Sequence, residues 1–299
     1  MKIDNAHLAA FAMVLREGSF EAAAKRLHVT PSAISQRVKL LEEHLGQVLL
    51  QRSTPTQATS AGMVLARFAE QVSMLEAEML SEVGAPEMLG AAMQRVPIAV
   101  NVDSLETWFL SVFDVLPPGV QMCLDIRVED QDHSAVLLRE GTVMGAVSSS
   151  PDPTYGCTAE PLGVMRYLAV ASPAFAQSYF ATADREEALH HAPMLGFNRK
   201  DRLHDLFIAQ LANTAQLSPT HFIPSVHGFV HAVARGLGWG LAPEALVAEG
   251  IAAGTLIDIL PGQHLDVALY WHRWRMRSSF LDVIGVALKQ AVQAGLRVN

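Results

Sequence analysis

The sequence predicts an α/β protein of about two domains: an N-terminal winged helix-turn-helix, a long linker helix and a two-lobed α/β domain. Three observations carry this expectation. Short apolar-periodic segments separated by glycine and by a polar break fill the chain up to Gly46. A heptad-like apolar stripe follows between Ser60 and Val83. After Arg95, short apolar runs alternate with helical patterns as far as the C-terminus.

The elements follow in order. Leu8, Phe11, Ala12 and Leu15 recur at helical spacing, so the first helix buries one face, and Gly18 ends it as a left-handed cap. Ser19 is the N-cap of a second helix from about Phe20 to Leu27, where Ala22, Ala23 and Ala24 permit close packing. Thr30 before Pro31 starts a third, because proline fits the first helical position. Ile34, Val38, Leu41 and Leu45 form its core stripe, and Gly46 stops it. Its opposite face carries Ser32, Ser35, Gln36 and Lys39, with Arg37 beside them and Ala33 small enough to meet a thymine methyl. Leu49-Leu50 and then Arg52 to Thr59 read as a hairpin wing, with Arg52 placed for a phosphate. Thr30, Ser32, Ala33, Ser35, Gln36, Arg37, Lys39 and Arg52 are therefore the candidate contacts to double-stranded DNA, the second helix of such a motif entering the major groove.

Leu65, Phe68, Val72, Leu75 and Met79 step by three and four residues, the seam of a short dimerising coiled coil, and Gly84-Ala85-Pro86 and Gly90 mark a hinge. Beyond it, strands are expected at Pro97–Val102, Gln121–Val128, Gly145–Ser148, Cys157–Leu162, Tyr167–Ala171, Pro193–Phe197, Phe222–Ile223, Trp239–Ala242, Leu256–Ile259 and Val267–Trp271. Helices are expected at Leu105–Val115, at His133–Glu140, after Pro173, near Arg202–Ala212, from about Gly228 to Arg235, and at the C-terminus. The alternation argues for mainly parallel strands.

Composition narrows the function classes. Residues 1–60 hold 7 Lys+Arg and 5 Asp+Glu, a net of +2, while the remaining 239 hold 15 and 25, a net of −10, in agreement with the overall −8. A local basic surface suffices for DNA, since screening confines phosphate attraction to about 10 Å. The acidic remainder suits a cationic small ligand. The two cysteines, Cys123 and Cys157, lack metal-type spacing and suit a reduced cytoplasm. No leader-like apolar run follows Met1, and no apolar stretch approaches the roughly 18 residues of a membrane span, so no membrane partner is expected. Zinc motifs, a nucleophile elbow and a phosphate-binding loop are absent, since Gly236-Leu237-Gly238-Trp239-Gly240 has the wrong spacing; no enzyme, metal or cofactor is expected.

Gly18-Ser19-Phe20, Ala23-Ala24, Leu27, Ser32-Ala33, Ser35, Leu41-Glu42, Leu45-Gly46, Leu49, Arg52, Thr59 and Gly62 together resemble the winged helix-turn-helix of LysR-type transcriptional regulators, with Leu50 where that family often has phenylalanine. The resemblance implies a DNA-binding domain over residues 1–60, a dimerisation helix and hinge over 61–91, and an effector domain over 92–299 that looks like a two-lobed periplasmic binding protein. Lobe I would be 92–163 with 265–299, and lobe II 164–264. It implies a homodimer or homotetramer on operator DNA, with RNA polymerase as a further partner. Asn101-Val102-Asp103-Ser104, Thr107-Trp108, Val128-Glu129-Asp130, Gly145-Ala146-Val147-Ser148, Gly236 to Gly240 and Tyr270-Trp271-His272 look like the branch that regulates lysine and arginine export. That implies a basic amino-acid effector, lysine or arginine.

In such a domain, ligands sit at the carboxyl ends of strands. There Ser104 offers a hydroxyl to a carboxylate or simply caps its helix, Ser148 offers another, Asp103, Glu129 and Asp130 attract amines, and Trp108 covers an aliphatic stem or packs in the core, while Asn198 and His227 are assigned by position from the second lobe. The competing classes are a solute-binding protein without gene control and an enzyme acting on an amino acid.

Overall fold

The computed structural model describes residues 3–51, 53–84, 93–120, 122–128, 134–181, 188–189, 191–211 and 218–297. It opens with three helices, α1 (Asn5–Glu17), α2 (Phe20–Arg26) and α3 (Pro31–Leu45). Their ends are set locally. Gly18 closes α1 at φ +73°, and Gly46 closes α3 at +65°. Ser19 Oγ accepts from the Ala22 amide at 3.1 Å, and Thr30 Oγ1 from the Ala33 amide at 3.2 Å, so one orphan amide at each helix head finds a side-chain partner. Leu8, Phe11, Val14, Ala23, Ala24, Ile34, Val38 and Leu41 meet in one buried core.

A wing of two antiparallel strands, β1 (Leu50–Gln51) and β2 (Gln57–Ala58), follows. Glu42 holds its start, Oε1 accepting from the amides of Leu49 at 2.7 Å and Leu50 at 3.3 Å. Thr59 holds its end: its hydroxyl donates to the Val48 carbonyl at 2.7 Å and accepts from the Gly62 amide at 3.0 Å. A Cβ on Gly62 would lie 2.0 Å from the Leu49 carbonyl oxygen, so only glycine lets the next helix pass so close to the wing.

That helix, α4 (Ser60–Glu82), is shared between two cores. Leu65 and Ala69 pack into the helix-turn-helix, while Met74 and Ala77 pack into the following unit. Arg16 pairs with Glu70 at 3.0 Å. At the other end, Glu78 Oε1 accepts from the Ser278 hydroxyl at 2.7 Å and the Phe280 amide at 3.3 Å, at the head of a late helix over Ser279–Ala291. The expected seam is thereby corrected at two positions, Leu65 and Val72, both of which pack toward the helix-turn-helix core. Leu65 is turned inward, and the outward stripe is Val64, Phe68, Leu75 and Met79, all 43–61% exposed.

The second unit is built on a seven-stranded sheet. Its strands are β3 (Gln94–Val100), β4 (Met122–Val128), β5 (Gly145–Ser148), β6 (Cys157–Ala171), β9 (Gly240–Pro243), β10 (Ile257–Asp258) and β11 (Leu265–Trp274). The order is β10-β6-β11-β5-β3-β4, with β9 also on β6. A separate parallel pair, β7 (Met194–Gly196) and β8 (Thr220–Phe222), lies beside β9. The remaining helices among the described residues are α5 (Val102–Thr107), α6 (Val112–Val115), α7 (Ser134–Glu140), α8 (Pro173–Tyr179), α9 (Leu203–Leu211), α10 (Val226–Ala234), α11 (Glu244–Ala252) and α12 (Ser279–Ala291). None of the described helices is long and apolar enough to cross a membrane.

Four expectations change. The strands are not mainly parallel: β3, β4 and β5 are, but β6, β9, β10 and β11 pair antiparallel. The reason is that β6 and β11 run beside each other as the two long connectors between the halves of the sheet. The stretches 157–162 and 167–171 are one strand, continuous through Gly163 at φ +150°, because β6 keeps β11 as a neighbour across the break. The helix expected over Leu105–Val115 starts earlier and divides into α5, a 3-10 turn at Phe109–Ser111 and α6, which lets adjacent Trp108 and Phe109 both bury completely. Helix α11 lies where no element was expected.

Candidate functional site

Two sites are laid out by this fold. On the first, Thr30, Ser32, Ser35, Gln36 and Lys39 are exposed along the outer side of α3, and Ala33 and Arg37 are half-buried at its edge. Thr30 and Ser32 share a hydrogen bond at 3.0 Å between their hydroxyl oxygens. Lys39 lies 3.5 Å from Glu43 one turn away, an exposed pair too weak to withhold the lysine from another anion. Hydroxyl, amide and cationic groups thus stand together on one rod, the donor and acceptor set that base edges and phosphates require. Arg52 lies outside the described residues.

The second site is a cleft of about 410 Å³ between the two halves of the sheet. One wall is the end of β3 and the start of α5, with Asn101, Val102 and Asp103. The facing wall comes from the loop before α9, from α9 and α10, and from the β9–α11 junction, with Phe197, Asn198, Asp201, Leu206, Val226, Phe229 and Leu241. Lys200 and Arg202 are exposed at its margin.

Asp103 is the focus of the cleft. Tyr167 of β6, itself buried, donates its hydroxyl to Asp103 Oδ2 at 2.6 Å. The Asp103 side chain opens to the cleft but is otherwise enclosed by protein. Loss of bulk water pushes its pKa up to about 6, the Asp201 charge adds to the rise, and the Tyr167 hydrogen bond opposes it. Asp201 is committed elsewhere: Oδ2 accepts from the Phe197 amide at 3.1 Å and Oδ1 from the Leu203 amide at 3.0 Å. Asn198 Oδ1 accepts from the amides of Lys200 at 2.7 Å and Asp201 at 3.1 Å, folding this loop into the cleft wall. Behind it His204 is buried, with Nε2 accepting from the Leu241 amide at 3.1 Å. Burial lowers its pKa, so the ring stays neutral and structural.

Of the candidates from the second unit, Asp103 and Asn198 line the cleft. Ser104 is fully buried next to them, and its hydroxyl has no partner. Ser148 is buried at the end of β5, and it is the next residue, Ser149, that reaches the cleft. Trp108 is fully buried in the core, edge-on to Phe109 with ring centroids 5.8 Å apart, and is not in the lining; its apolar bulk went to packing. His227 is exposed on α10 and meets Glu106 of α5 at 3.1 Å, a bridge between the two walls rather than a cleft group. Glu129 and Asp130 lie outside the described residues. Sequence reasoning missed Asn101, Asp201, Tyr167 and Phe229. Asn101 adjoined the chosen quartet, and its buried side chain has no protein partner. Nothing in the sequence set Tyr167 apart from an ordinary strand residue.

Residues 6–63 match the bacterial regulatory helix-turn-helix protein of the lysR family, and residues 113–296 match the LysR substrate binding domain. The chain belongs to the LysR family. As a LysR-type protein it is a DNA-binding transcriptional regulator and not an enzyme. ArgP from Mycobacterium tuberculosis, a crystal structure, is 46% identical with full coverage of both chains and a TM-score of 0.89. Full-length LysG from Corynebacterium glutamicum with bound effector Arg is 37% identical over 99% of this chain and 100% of that one, with a TM-score of 0.78. The lysine export transcriptional regulatory protein LysG of the same organism is 39% identical over 95% of this chain and 96% of its own.

Proposed function

We propose that this LysR-type regulator senses a basic amino acid, lysine or arginine, in the cleft and thereby controls genes of amino-acid export or metabolism. One observation carries the reading: the Asp103 carboxylate is enclosed in a cleft of about 410 Å³ with otherwise largely apolar walls. An enclosed carboxylate is costly unless a cation completes it, and apolar walls suit an aliphatic stem. The relative with bound Arg and the relative named for lysine export support the same ligand class.

The DNA contacts are Thr30, Ser32, Ala33, Ser35, Gln36, Arg37 and Lys39 on α3, with Arg52 of the wing. The protein acts on operator DNA in the cytoplasm as a homodimer or homotetramer, and modulates RNA polymerase. The outward stripe of α4, Val64, Phe68, Leu75 and Met79, is the dimer seam. Residues 1–60, 61–91 and 92–299 act as head, linker and effector domain, with lobe I (92–163 and 265–299) and lobe II (164–264) closing on the ligand. Because α4 is packed into both cores, a change in the effector domain reaches the heads through it. The ligand drives that change only by its differential affinity for the two arrangements.

Calorimetric titration with each of the twenty amino acids, together with footprinting of the promoter beside its own gene, tests this reading. Lysine or arginine is expected to bind and to alter the footprint. Binding confined to neutral or acidic amino acids would overturn the effector assignment.

A further inference from the structure

The environment of Asp103 distinguishes between the two basic amino acids. The cleft carries charge of both signs. Lys200 and Arg202 are exposed in its lining, Val226 and Phe229 are buried apolar lining, and Asp103 stands on the facing wall. A zwitterion with a long stem fits this lining when its carboxylate meets the exposed cations and its side-chain cation meets Asp103. Among the described residues Asp201 is the other acid in the lining, and it already accepts a backbone amide on each oxygen. The two oxygens of Asp103 are unequal: Oδ2 accepts from Tyr167 Oη at 2.6 Å, a short bond to an ionisable acceptor.

A guanidinium reads a carboxylate best through two parallel N–H···O bonds, one to each oxygen, whereas an ammonium is a compact point charge that needs only one. Tyr167 is held in register on β6, between β11 and β9, opposite Leu265 and Pro243. Its ring is also buried, so packing restricts the hydroxyl to the neighbourhood of Asp103. Resting on the basic-amino-acid reading, we propose that Tyr167 is a positioning residue that sets effector specificity: by donating to Oδ2 of Asp103 it competes with one arm of a guanidinium fork while leaving the single contact of an ammonium at Oδ1 untouched, and so favours lysine over arginine.

The test is calorimetry of the full-length protein with lysine and with arginine, for the wild type and for Tyr167→Phe. Lysine is expected to bind the wild type more tightly than arginine. Tyr167→Phe frees Oδ2 and is expected to shift the arginine-to-lysine affinity ratio toward arginine by about fivefold, the effect of one hydrogen bond exchanged. A purely structural role would weaken both ligands alike and leave the ratio unmoved. An unchanged ratio in a folded Tyr167→Phe protein would overturn the proposal while leaving the effector class intact. If that variant does not fold, the wild-type ratio decides, because arginine binding more tightly than lysine contradicts the proposal. A wild type that binds neither overturns the ligand class and this inference with it.

Discussion

The outer side of α3 and the cleft around Asp103 are built in opposite ways. The α3 surface draws its candidate groups from ten consecutive positions of one helix, Thr30 to Lys39, and they point outward from a core made by the other side of the same helix. The cleft draws Asp103 and Tyr167 from positions 64 residues apart, and Asp201 and Phe229 from further along. The difference teaches where function and stability are separable. A side chain on the outside of a helix contributes little to folding, so it is free to be chosen for its target. A carboxylate held inside a cleft changes the stability of its own domain.

Predictions that break or sharpen this contrast run from large to small. Asp103→Asn is expected to weaken lysine binding by roughly 10- to 100-fold, the loss of a charged hydrogen-bonded contact. Gel-shift affinity for the operator without ligand should stay within about twofold. Loss of both together would show the surfaces to be inseparable. The same variant carries a stability signature. Asp103 has its pKa raised from 3.8 to about 6 in the folded protein, so the folded state holds more protons than the unfolded one between those values. Stability therefore falls as pH rises through that window, by up to about 3 kcal/mol, and the loss is complete above it. Asp103→Asn removes the loss, so the variant should melt above the wild type at pH 7.5 and close to it near pH 4; thermal melts at the two pH values decide.

Gly62→Ala is expected to cost about 1–3 kcal/mol in urea unfolding, because its new methyl would overlap the Leu49 carbonyl and force the wing from α4. Ser32→Ala or Gln36→Ala is expected to relax operator preference by about 1–3 kcal/mol at one base pair with an unchanged melting temperature. A fall in melting temperature with no change in preference would move that residue from recognition to folding. The smallest effect belongs to the link between the surfaces. Glu78→Gln weakens the contacts to Ser278 and Phe280 and is expected to cost about 1 kcal/mol, read as faster amide exchange at the head of α12.

The legibility of the sequence follows the same division. Gly18, Ser19, Thr30-Pro31 and Gly46 could be assigned because caps act on amides within a few residues. Strand β5 was read at its observed limits because a short apolar run between turns leaves little choice. Strand β6 reads as two pieces in the sequence, because the neighbour that carries the strand past Gly163, β11, lies about a hundred residues away. Trp108 stays open between ligand and core in the sequence, because periodicity does not say whether an aromatic side chain packs inside or lines a cleft, and the structure buries it. Tyr167 is not distinguished in the sequence for the complementary reason: its partner is visible only once α5 and β6 are in contact.

By itself, the amino-acid order determined the three-helix head, the long helix after it, the alternation of strands and helices, and the family to which these belong. Each rests on interactions between residues a few positions apart or on motifs dense enough to compare. Tertiary structure alone decided that the large sheet is mixed, that α4 is shared by two cores, and that Asp103 faces the cleft with Tyr167 on one of its oxygens. Those outcomes depend on which distant surfaces meet, and the energy of such a meeting belongs to both partners, so neither segment carries it alone.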